Sequence, residues 1–462
     1  SIYRCNSLDD LLFCSHGAHE VILDFRNYFI SSRYLFFITE KFGMNKFLLI
    51  SCFLLNAVIL SAQLSKSEFY NALIGKDSLV DFVLKNRSNF RLQFIVTDIS
   101  RDENGEEYFK SYDFSTNEYF YPASMVKFPT AIVMMEILDS LKIPLNSCIK
   151  MNSDVSCGNN SFAELTQKKD IPINLALEDM LSISDNPYYS LFFHAVTPEL
   201  LNTKLLSRGI KHTKIYSSFS GCPKGKSVET NSYTIYGSSG KILLSRPKTH
   251  LDSVQYMNRL SYDKNKLLGK YVIESDKKIE KPFDFNYQLD YPLNDIHETI
   301  FRLVFPTNFE IDKRFKISHE SRKFLLKCMG NFPREMKNKT YHNISVYPDN
   351  YFKYSIIGND PKLSLTGKYR TFSKIGISYG FVTESAYIVD FEKQKDFLFT
   401  VSIYVNEDGI VNDGKYEYDK IARPFIANFT KVIQTVLSQP DDQEGLYTYE
   451  YFKLLREIMD GN

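Results

Sequence analysis

The sequence has few cysteines, no excess of charge of either sign and no long hydrophobic run, and each shortage excludes a class of protein. Lys and Arg number 56 against 55 Asp and Glu, giving a formal net charge of +1, whereas a nucleic-acid-binding protein needs a basic surplus. Seven cysteines in 462 residues are too few for a disulfide scaffold. No Cys-x-x-Cys or His-x-x-x-His spacing indicates a metal site. With 44% hydrophobic and 24% charged residues, the composition is that of an ordinary folded protein.

The apolar stretch from Phe47 to Leu60 has 14 residues, which is short for a transmembrane helix. A basic start at Met44–Lys46 precedes it and small residues follow it, a pattern typical of a secretory signal peptide. We therefore expect export to the periplasm or medium, cleavage near Gln63 and no membrane span in the mature protein. Residues 1–43 would then be a non-native upstream segment. The run 49–52 (LISC) also resembles a lipobox, but the apolar chain continues beyond its cysteine.

Export to an oxidising compartment would permit disulfide bonds. Four cysteines follow position 63, and of these only Cys148 and Cys157 lie close together in sequence. Whether these two form a bridge stays open at this point.

Strand patterns at both ends of the chain, with helix patterns between them, predict the fold class. Residues 90–99 and 107–114 alternate as two strands of a hairpin, and strand patterns return at about 373–405 with a turn at 392–396. Helical spacing of apolar residues marks six segments: 124–141, 173–183, the stretch from Tyr188 onward, 294–304, 318–330 and 421–436. This order predicts an α+β fold in which both chain ends build one antiparallel sheet and the helices form a second lobe.

Ser124-Met125-Val126-Lys127 has the spacing Ser-x-x-Lys, which places a hydroxyl and an amine on one face of a helix. If burial or a second cation lowers the pKa of the lysine, its amine can accept the serine proton. The N–H groups at a helix N-terminus also favour a developing oxyanion. Only here does the spacing open a helix that is apolar on nearly all sides. Elsewhere it recurs in polar or loop-like stretches: Ser147–Lys150, Ser238–Lys241, Ser245–Lys248, Ser261–Lys264 and Ser275–Lys278.

Two further motifs follow in chain order. Ser184-Asp185-Asn186 ends an apolar helix, and Lys374-Ile375-Gly376 opens a strand near the C-terminus. Ser-x-x-Lys, Ser-Asp-Asn and Lys-Thr-Gly, in this order, are the signature of the penicillin-recognising serine enzymes. The chain resembles that superfamily, and class A β-lactamases in particular, over about 90–216 and 291–436. Residues 217–290 are unmatched and form an insertion rich in Ser, Gly, Lys and Asp.

The resemblance implies catalytic roles for three side chains. Ser124 would be the nucleophile that becomes acylated, and Lys127 would be its base or proton relay. Ser184 would pass a proton to the leaving nitrogen. No cofactor would be needed, because two lysines would supply the proton transfer and the charge.

The resemblance also implies binding roles. Asn186 would hold the side-chain amide of the substrate, and Lys374 would attract a substrate carboxylate. The N–H groups of Ser124 and Ile377 would form the oxyanion hole, with Gly376 permitting close approach. In the structural alternative, residues 184 and 186 would merely cap a helix and residue 374 would be a charge on a strand edge.

The chain departs from the family pattern at two places. Ile375 stands where the family usually has Thr or Ser, so one hydroxyl for the substrate carboxylate is missing. Class A enzymes also use a Glu after the second motif to activate the deacylating water, and alignment puts Phe219 or its neighbours there. The nearest acid, Glu229, belongs to the insertion and could be an ordinary surface carboxylate. Without that base, an acyl-enzyme would be expected to turn over slowly.

These observations predict an exported serine hydrolase whose domain spans 64–436, with a signal peptide at 44–63 and a C-terminal tail at 437–462. Its substrate would be a small molecule or a fragment derived from peptidoglycan, with a β-lactam or a D-alanyl peptide favoured. A slowly deacylating penicillin-binding protein or DD-peptidase, an esterase, and a non-catalytic binding protein that retains the fold stay open as alternatives.

Overall fold

The computed structural model describes residues 64–102, 105–114, 117–154, 160–219, 228–251, 262–286, 289–358 and 369–437, together with Leu455, Glu457 and Met459. The expected signal peptide and upstream segment lie outside these residues, and so does Cys157. Cys148 carries a free thiol. The elements below all belong to the unit Ser65–Asn462.

The helices of the described residues include those predicted and several that were not. They are α1 (Lys66–Leu73), α2 (Ser78–Lys85), α3 (Lys127–Ser140), α4 (Asn160–Gln167), α5 (Ile173–Ser182), α6 (Asn186–Val196), α7 (Pro198–Ser207), α8 (Leu293–Val304), α9 (His319–Gly330) and α10 (Arg423–Leu437). Helices α1 and α2 were not predicted, although Ser65 and Glu68 form a capping box at the first and Asp77 caps the second. Among the described residues no helix combines the length and apolar character needed to span a bilayer.

The strands form one large sheet and several small ones. They are β1 (Gln93–Arg101), β2 (Glu107–Phe114), β3 (Cys148–Met151), β4 (Ile171–Pro172), β5 (Val228–Thr230), β6 (Tyr233–Tyr236), β7 (Ile242–Arg246), β8 (Thr249–Leu251), β9 (Leu267–Leu268), β10 (Tyr271–Glu274), β11 (Lys277–Ile279), β12 (Phe283–Asp284), β13 (Tyr369–Ser378), β14 (Phe381–Asp390), β15 (Lys395–Tyr404) and β16 (Ile410–Val411). Much of the 217–290 segment consists of hairpins, such as β6–β7 and β10–β11.

The large sheet has the order β13-β14-β15-β1-β2 and is antiparallel throughout. It therefore joins strands from both ends of the described fold, as predicted. Helices cover both of its faces: Phe429 of α10 packs against Phe94 and Phe399 on one face, and Phe305, after α8, packs against Tyr387 on the other. β14 is consequently buried along its whole length.

The strand pattern at 373–405 contains one more reversal than the single turn predicted at 392–396. Tyr379 and Gly380 separate β13 from β14 with φ angles of +53° and +85°. Two residues with positive φ are what a tight hairpin turn requires, because its twist then matches that of the strands. The reversal leaves β13 at the edge of the sheet, facing the helical lobe.

α3 lies at the centre of the helical lobe and is buried on nearly all sides, as its apolar sequence predicted. Helices α5, α6, α7 and α9 pack against it. Pro129 is the third residue of α3, where the N–H that proline lacks would have no partner within the helix. The helix begins later than predicted, because Ala123–Val126 form a 3₁₀ turn ahead of it.

Candidate active site

The predicted motifs meet between β13 and the helical lobe, where the Lys127 amine is the common contact. Its Nζ lies 2.9 Å from Ser124 Oγ, 3.1 Å from Ser184 Oγ and 2.6 Å from Asn186 Oδ1. Lys374 Nζ, from β13, donates to the same Ser184 Oγ at 2.9 Å. Five side chains named from the sequence therefore form one connected cluster.

The junction between α5 and α6 positions the second motif. Asp185 caps α6 by accepting a hydrogen bond from the Tyr188 N–H at 2.7 Å. Ser184, with a φ of +62°, turns the chain so that its carbonyl oxygen accepts a 2.5 Å hydrogen bond from Lys127. Since Asp185 provides the cap, Ser184 and Asn186 are free to contact Lys127, and the capping alternative does not describe them.

Burial and charge set the protonation of the Lys127 amine. The side chain is completely buried, and among the described residues its polar contacts are neutral oxygens rather than carboxylates. Burial lowers the pKa of Lys127 well below its ordinary value, and the positive charge of Lys374 lowers it further, against a smaller opposing effect of Asp185. A neutral amine beside a serine hydroxyl can serve as a general base.

Lys374 is also buried, with 1% of its surface exposed, so it is not the solvated strand-edge charge of the structural alternative. Burial, and then the charge of Lys353, lower the pKa of Lys374 to about 7. Lys353 belongs to none of the motifs found in the sequence. It lies in irregular chain before β13, where its ammonium donates to the Met329 carbonyl.

Gly376 allows the edge strand β13 to contact the 3₁₀ turn Ala123–Val126, which contains Ser124. A Cβ at this position would lie 2.1 Å from the Pro122 carbonyl oxygen and 3.0 Å from Met125 Cγ. The close approach predicted for Gly376 is thus, in part, an approach to the protein's own backbone at Pro122. Ile377, the next residue on this edge strand, is half-buried. Ile375 is 1% exposed, and its side chain brings no hydroxyl to the site.

Replacing Gly376 by alanine is expected to lower the free energy of unfolding by roughly 1–3 kcal/mol, because the new methyl group overpacks a backbone contact. The measurement is urea denaturation followed by circular dichroism. Gly237→Ala is the matched control, since a Cβ there would meet the flexible Leu243 side chain at 3.4 Å. Equal stability of the two variants would show that β13 is not tightly packed against the turn Ala123–Val126.

Phe219 lies beside the Lys127 amine, with its ring centroid 5.4 Å from Lys127 Nζ. Its alignment with the deacylation base of class A enzymes stays a prediction. Glu229 lies on β5 with 44% of its side chain exposed and contacts His250. From Thr213 to Val228 the sequence contains no Asp or Glu. This stretch therefore supplies an aromatic ring beside the amine and no carboxylate.

The site and the fold define a β-lactamase-like serine hydrolase architecture. Residues 77–242 match the model described as the β-lactamase enzyme family, a stretch that contains Ser124, Lys127, Ser184 and Asn186 and ends before Lys374. No curated protein sequence matches the chain. The predicted α+β, β-lactamase-like fold is confirmed.

Among solved structures, the chain is similar to β-lactamases at low identity. The enzyme from Sphaerobacter thermophilus is 13% identical, with 82% of this chain and 99% of that chain covered and a TM-score of 0.43. The enzyme from Chitinophaga pinensis is 13% identical, with 78% of this chain and 100% of that chain covered and a TM-score of 0.44. A class A β-lactamase from Bacteroides cellulosilyticus is 14% identical, with 78% of this chain and 95% of that chain covered and a TM-score of 0.42.

Proposed function

We propose that the protein forms an acyl-enzyme at Ser124 with substrates that carry a reactive amide or ester carbonyl near a carboxylate. The contact that supports this most strongly is the one between Lys127 Nζ and Ser124 Oγ, at 2.9 Å. The amine is fully buried and its pKa is lowered, so it is poised to remove the serine proton.

Acylation proceeds in three proton transfers. Lys127 takes the proton of Ser124 as Oγ attacks the carbonyl carbon, and the N–H groups of Ser124 and Ile377 stabilise the oxyanion. When the C–N bond breaks, the leaving nitrogen takes a proton from the Ser184 hydroxyl. Ser184 is reprotonated by Lys127, which lies 3.1 Å away. The products are an ester at Ser124 and a neutral amine, with the enzyme's other groups in their starting state.

Two further groups favour a substrate with a carboxylate and an amide. Lys374 presents a buried ammonium that contacts Ser184 Oγ and the Ile375 carbonyl but no carboxylate among the described residues. Asn186 is exposed, and its Oδ1 is taken by Lys127, which leaves its amide N–H groups to bind a substrate carbonyl. A β-lactam or a D-alanyl peptide carries both features.

Slow deacylation distinguishes this site from an efficient β-lactamase. Hydrolysis of the ester needs a base that activates water, and the segment around Phe219 supplies none. We therefore place the protein nearer to a penicillin-binding protein that keeps its acyl group than to a rapidly turning-over β-lactamase.

Labelling with a fluorescent penicillin tests the proposal. We expect one stoichiometric, slowly released label in the full chain, and none in Ser124→Ala. Nitrocefin should give a burst of one equivalent followed by slow turnover. Rapid steady-state hydrolysis would contradict slow deacylation, and failure of several acyl donors to label the protein would favour a non-catalytic binding role.

The pH dependence of acylation should be bell-shaped for a donor that carries a carboxylate. Below the lowered pKa of Lys127 the base is protonated and the rate falls. Above the pKa of Lys374, about 7, the ammonium that attracts the carboxylate is lost and the rate falls again. An activated ester without a carboxylate should keep the acid limb and lose the alkaline one. An alkaline limb shared by both donors would contradict the role of Lys374.

Export also remains a proposal, based on the pattern at residues 44–63. A substrate from the cell wall would be encountered outside the cytoplasm. N-terminal sequencing of protein recovered from the periplasm or medium should show a mature chain that begins close to Gln63. Retention of the full chain in the cytoplasm would contradict export.

A further inference from the structure

A cavity of about 340 Å³ lies where α8, the connection that follows it and the start of α9 meet. Three arginines line it, one from each of these elements: Arg302, Arg314 and Arg322. His319, the first residue of α9, adds an imidazole. Among the described residues, no Asp or Glu belongs to the lining. The cavity is therefore positively charged, and its volume is within the range of small-molecule sites.

Backbone carbonyl oxygens hold two of these guanidinium groups in place but use few of their N–H donors. Arg314 donates to the carbonyls of Phe309 and Thr307, at 2.8 and 3.3 Å. Arg322 donates to the Val304 carbonyl at 3.2 Å. Since a guanidinium has five N–H donors, the contacts with described residues leave most donors of both arginines for a ligand.

The positive charge of Arg314 and Arg322 has no carboxylate contact within the described part of the chain. Glu107 is close enough to Arg322 for an electrostatic interaction, but its carboxylate contacts a different guanidinium, that of Arg101, at 3.1 Å. At the start of α9, the neighbouring acid is paired with a lysine of the same helix. Two positive charges are thus left to attract an anion.

Arg302 is held more tightly than the other two arginines. It is 4% exposed, its Nη2 contacts the Glu298 carboxylate at 2.8 Å, and its Nη1 donates to the carbonyls of Arg208 and Lys313. Its Nε is a buried donor that has no acceptor among the described residues. Because nearly all buried donors in folded proteins have an acceptor, this Nε is a second, independent indication of a ligand.

We propose that this cavity binds a soluble phosphomonoester. Arginine is suited to phosphate because its planar N–H groups can bind two oxygens at once. A phosphomonoester carries nearly two negative charges at neutral pH, which matches the two arginines that lack a carboxylate partner. Phe315 and Ile317, which also line the cavity, offer apolar surface to the rest of the ligand. None of the lining residues belongs to the candidate active site, so this binding does not depend on acylation.

Isothermal titration calorimetry of the full chain with phenyl phosphate tests the site. We expect one binding site with a dissociation constant below about 1 mM. Benzoate should bind about tenfold more weakly, because it carries a single negative charge. Failure of phenyl phosphate to bind, or equal affinity for the two compounds, would overturn the proposal.

Arg322→Gln should weaken the binding of phenyl phosphate by about tenfold or more, the contribution of one hydrogen bond to a charged group. Lys323→Gln is the matched control, since it removes one positive charge from the same helix at a residue that does not line the cavity. Its affinity should stay within about twofold of the unchanged protein. Equal weakening in both variants would show that only the general charge of α9 attracts the anion and would overturn the site.

His319→Glu provides a second variant should Arg322→Gln fold poorly. The side chain is exposed, and an acidic residue is favourable at the first position of a helix. The added negative charge should weaken phenyl phosphate by about tenfold. Lys374→Met distinguishes the cavity from the candidate active site, whose lysines could also attract phosphate. Unchanged affinity in this variant supports the cavity, and loss of binding would overturn it.

A lipid headgroup is the other source of a phosphomonoester, and vesicles of phosphatidic acid and phosphatidylcholine separate the two. We expect the protein not to sediment with them, because Arg302 and Phe315 are buried and lie below the surface that a bilayer would contact. Sedimentation that Arg322→Gln abolishes would assign the phosphate to a lipid and overturn the soluble ligand.

Discussion

Lys127→Met should lower the rate constant for acylation of Ser124 by about 10²- to 10⁴-fold, the usual contribution of a positioned general base. Methionine keeps an unbranched apolar side chain in the buried position but removes the nitrogen that lies 2.9 Å from Ser124 Oγ. Pre-steady-state acylation by a chromogenic β-lactam measures the effect, and thermal unfolding shows whether the variant is folded.

The matched control is Lys204→Met in α7, where the lysine is partly buried and pairs with Glu136 at 3.1 Å. This change removes a lysine from the same lobe and should leave acylation within about twofold of the unchanged protein, since the buried Glu136 keeps its ion pair with Arg208. A folded Lys127→Met variant that acylates nearly as fast as the unchanged protein would show that another group acts as the base.

Phe219→Glu should raise the rate of deacylation by about 10²- to 10⁴-fold, because it introduces a carboxylate that can activate water. The Phe219 ring lies 5.4 Å from Lys127 Nζ, so a carboxylate there would be near both the amine and the acyl ester. Such a negative charge would also raise the pKa of Lys127 and move the acid limb of acylation upward. Steady-state nitrocefin hydrolysis measures the first effect, and the pH profile measures the second.

Phe219→Leu separates the carboxylate from the loss of the ring. It should leave deacylation slow, since leucine brings no base. If both variants hydrolyse nitrocefin equally fast, the Phe219 ring would be excluding water from the ester. If neither does, the position of residue 219 would not be the one from which water attacks.

The parts of the fold that follow from local patterns could be predicted from the sequence. The apolar run at 124–141 predicted a buried helix because a helix with apolar residues on nearly all sides has no face for solvent. The three motifs predicted a shared cleft, and the Lys127 and Lys374 amines do meet at Ser184 Oγ. The short helix α1 was not predicted, although Ser65 and Glu68, which form its capping box, have the sequence spacing typical of that motif.

Features that depend on tertiary packing could not be predicted in this way. Lys353 lies in irregular chain, and only the folded structure brings its charge close enough to lower the pKa of Lys374. Phe283 and Tyr379 are nearly a hundred residues apart in sequence and stack only because the insertion folds against the end of β13. The turn at Tyr379 could not be recognised, because the strand alternation continues on both sides of it. In the sequence, Gly380 alone marks the reversal.

Peptide mass mapping after incubation with a penicillin tests the nucleophile assignment most directly. We expect the full chain to gain the mass of one intact penicillin. The added mass should lie on the peptide that contains Ser124 and persist long after free penicillin is removed. An adduct on another residue, or one retained in Ser124→Ala, would show that Ser124 is not the nucleophile.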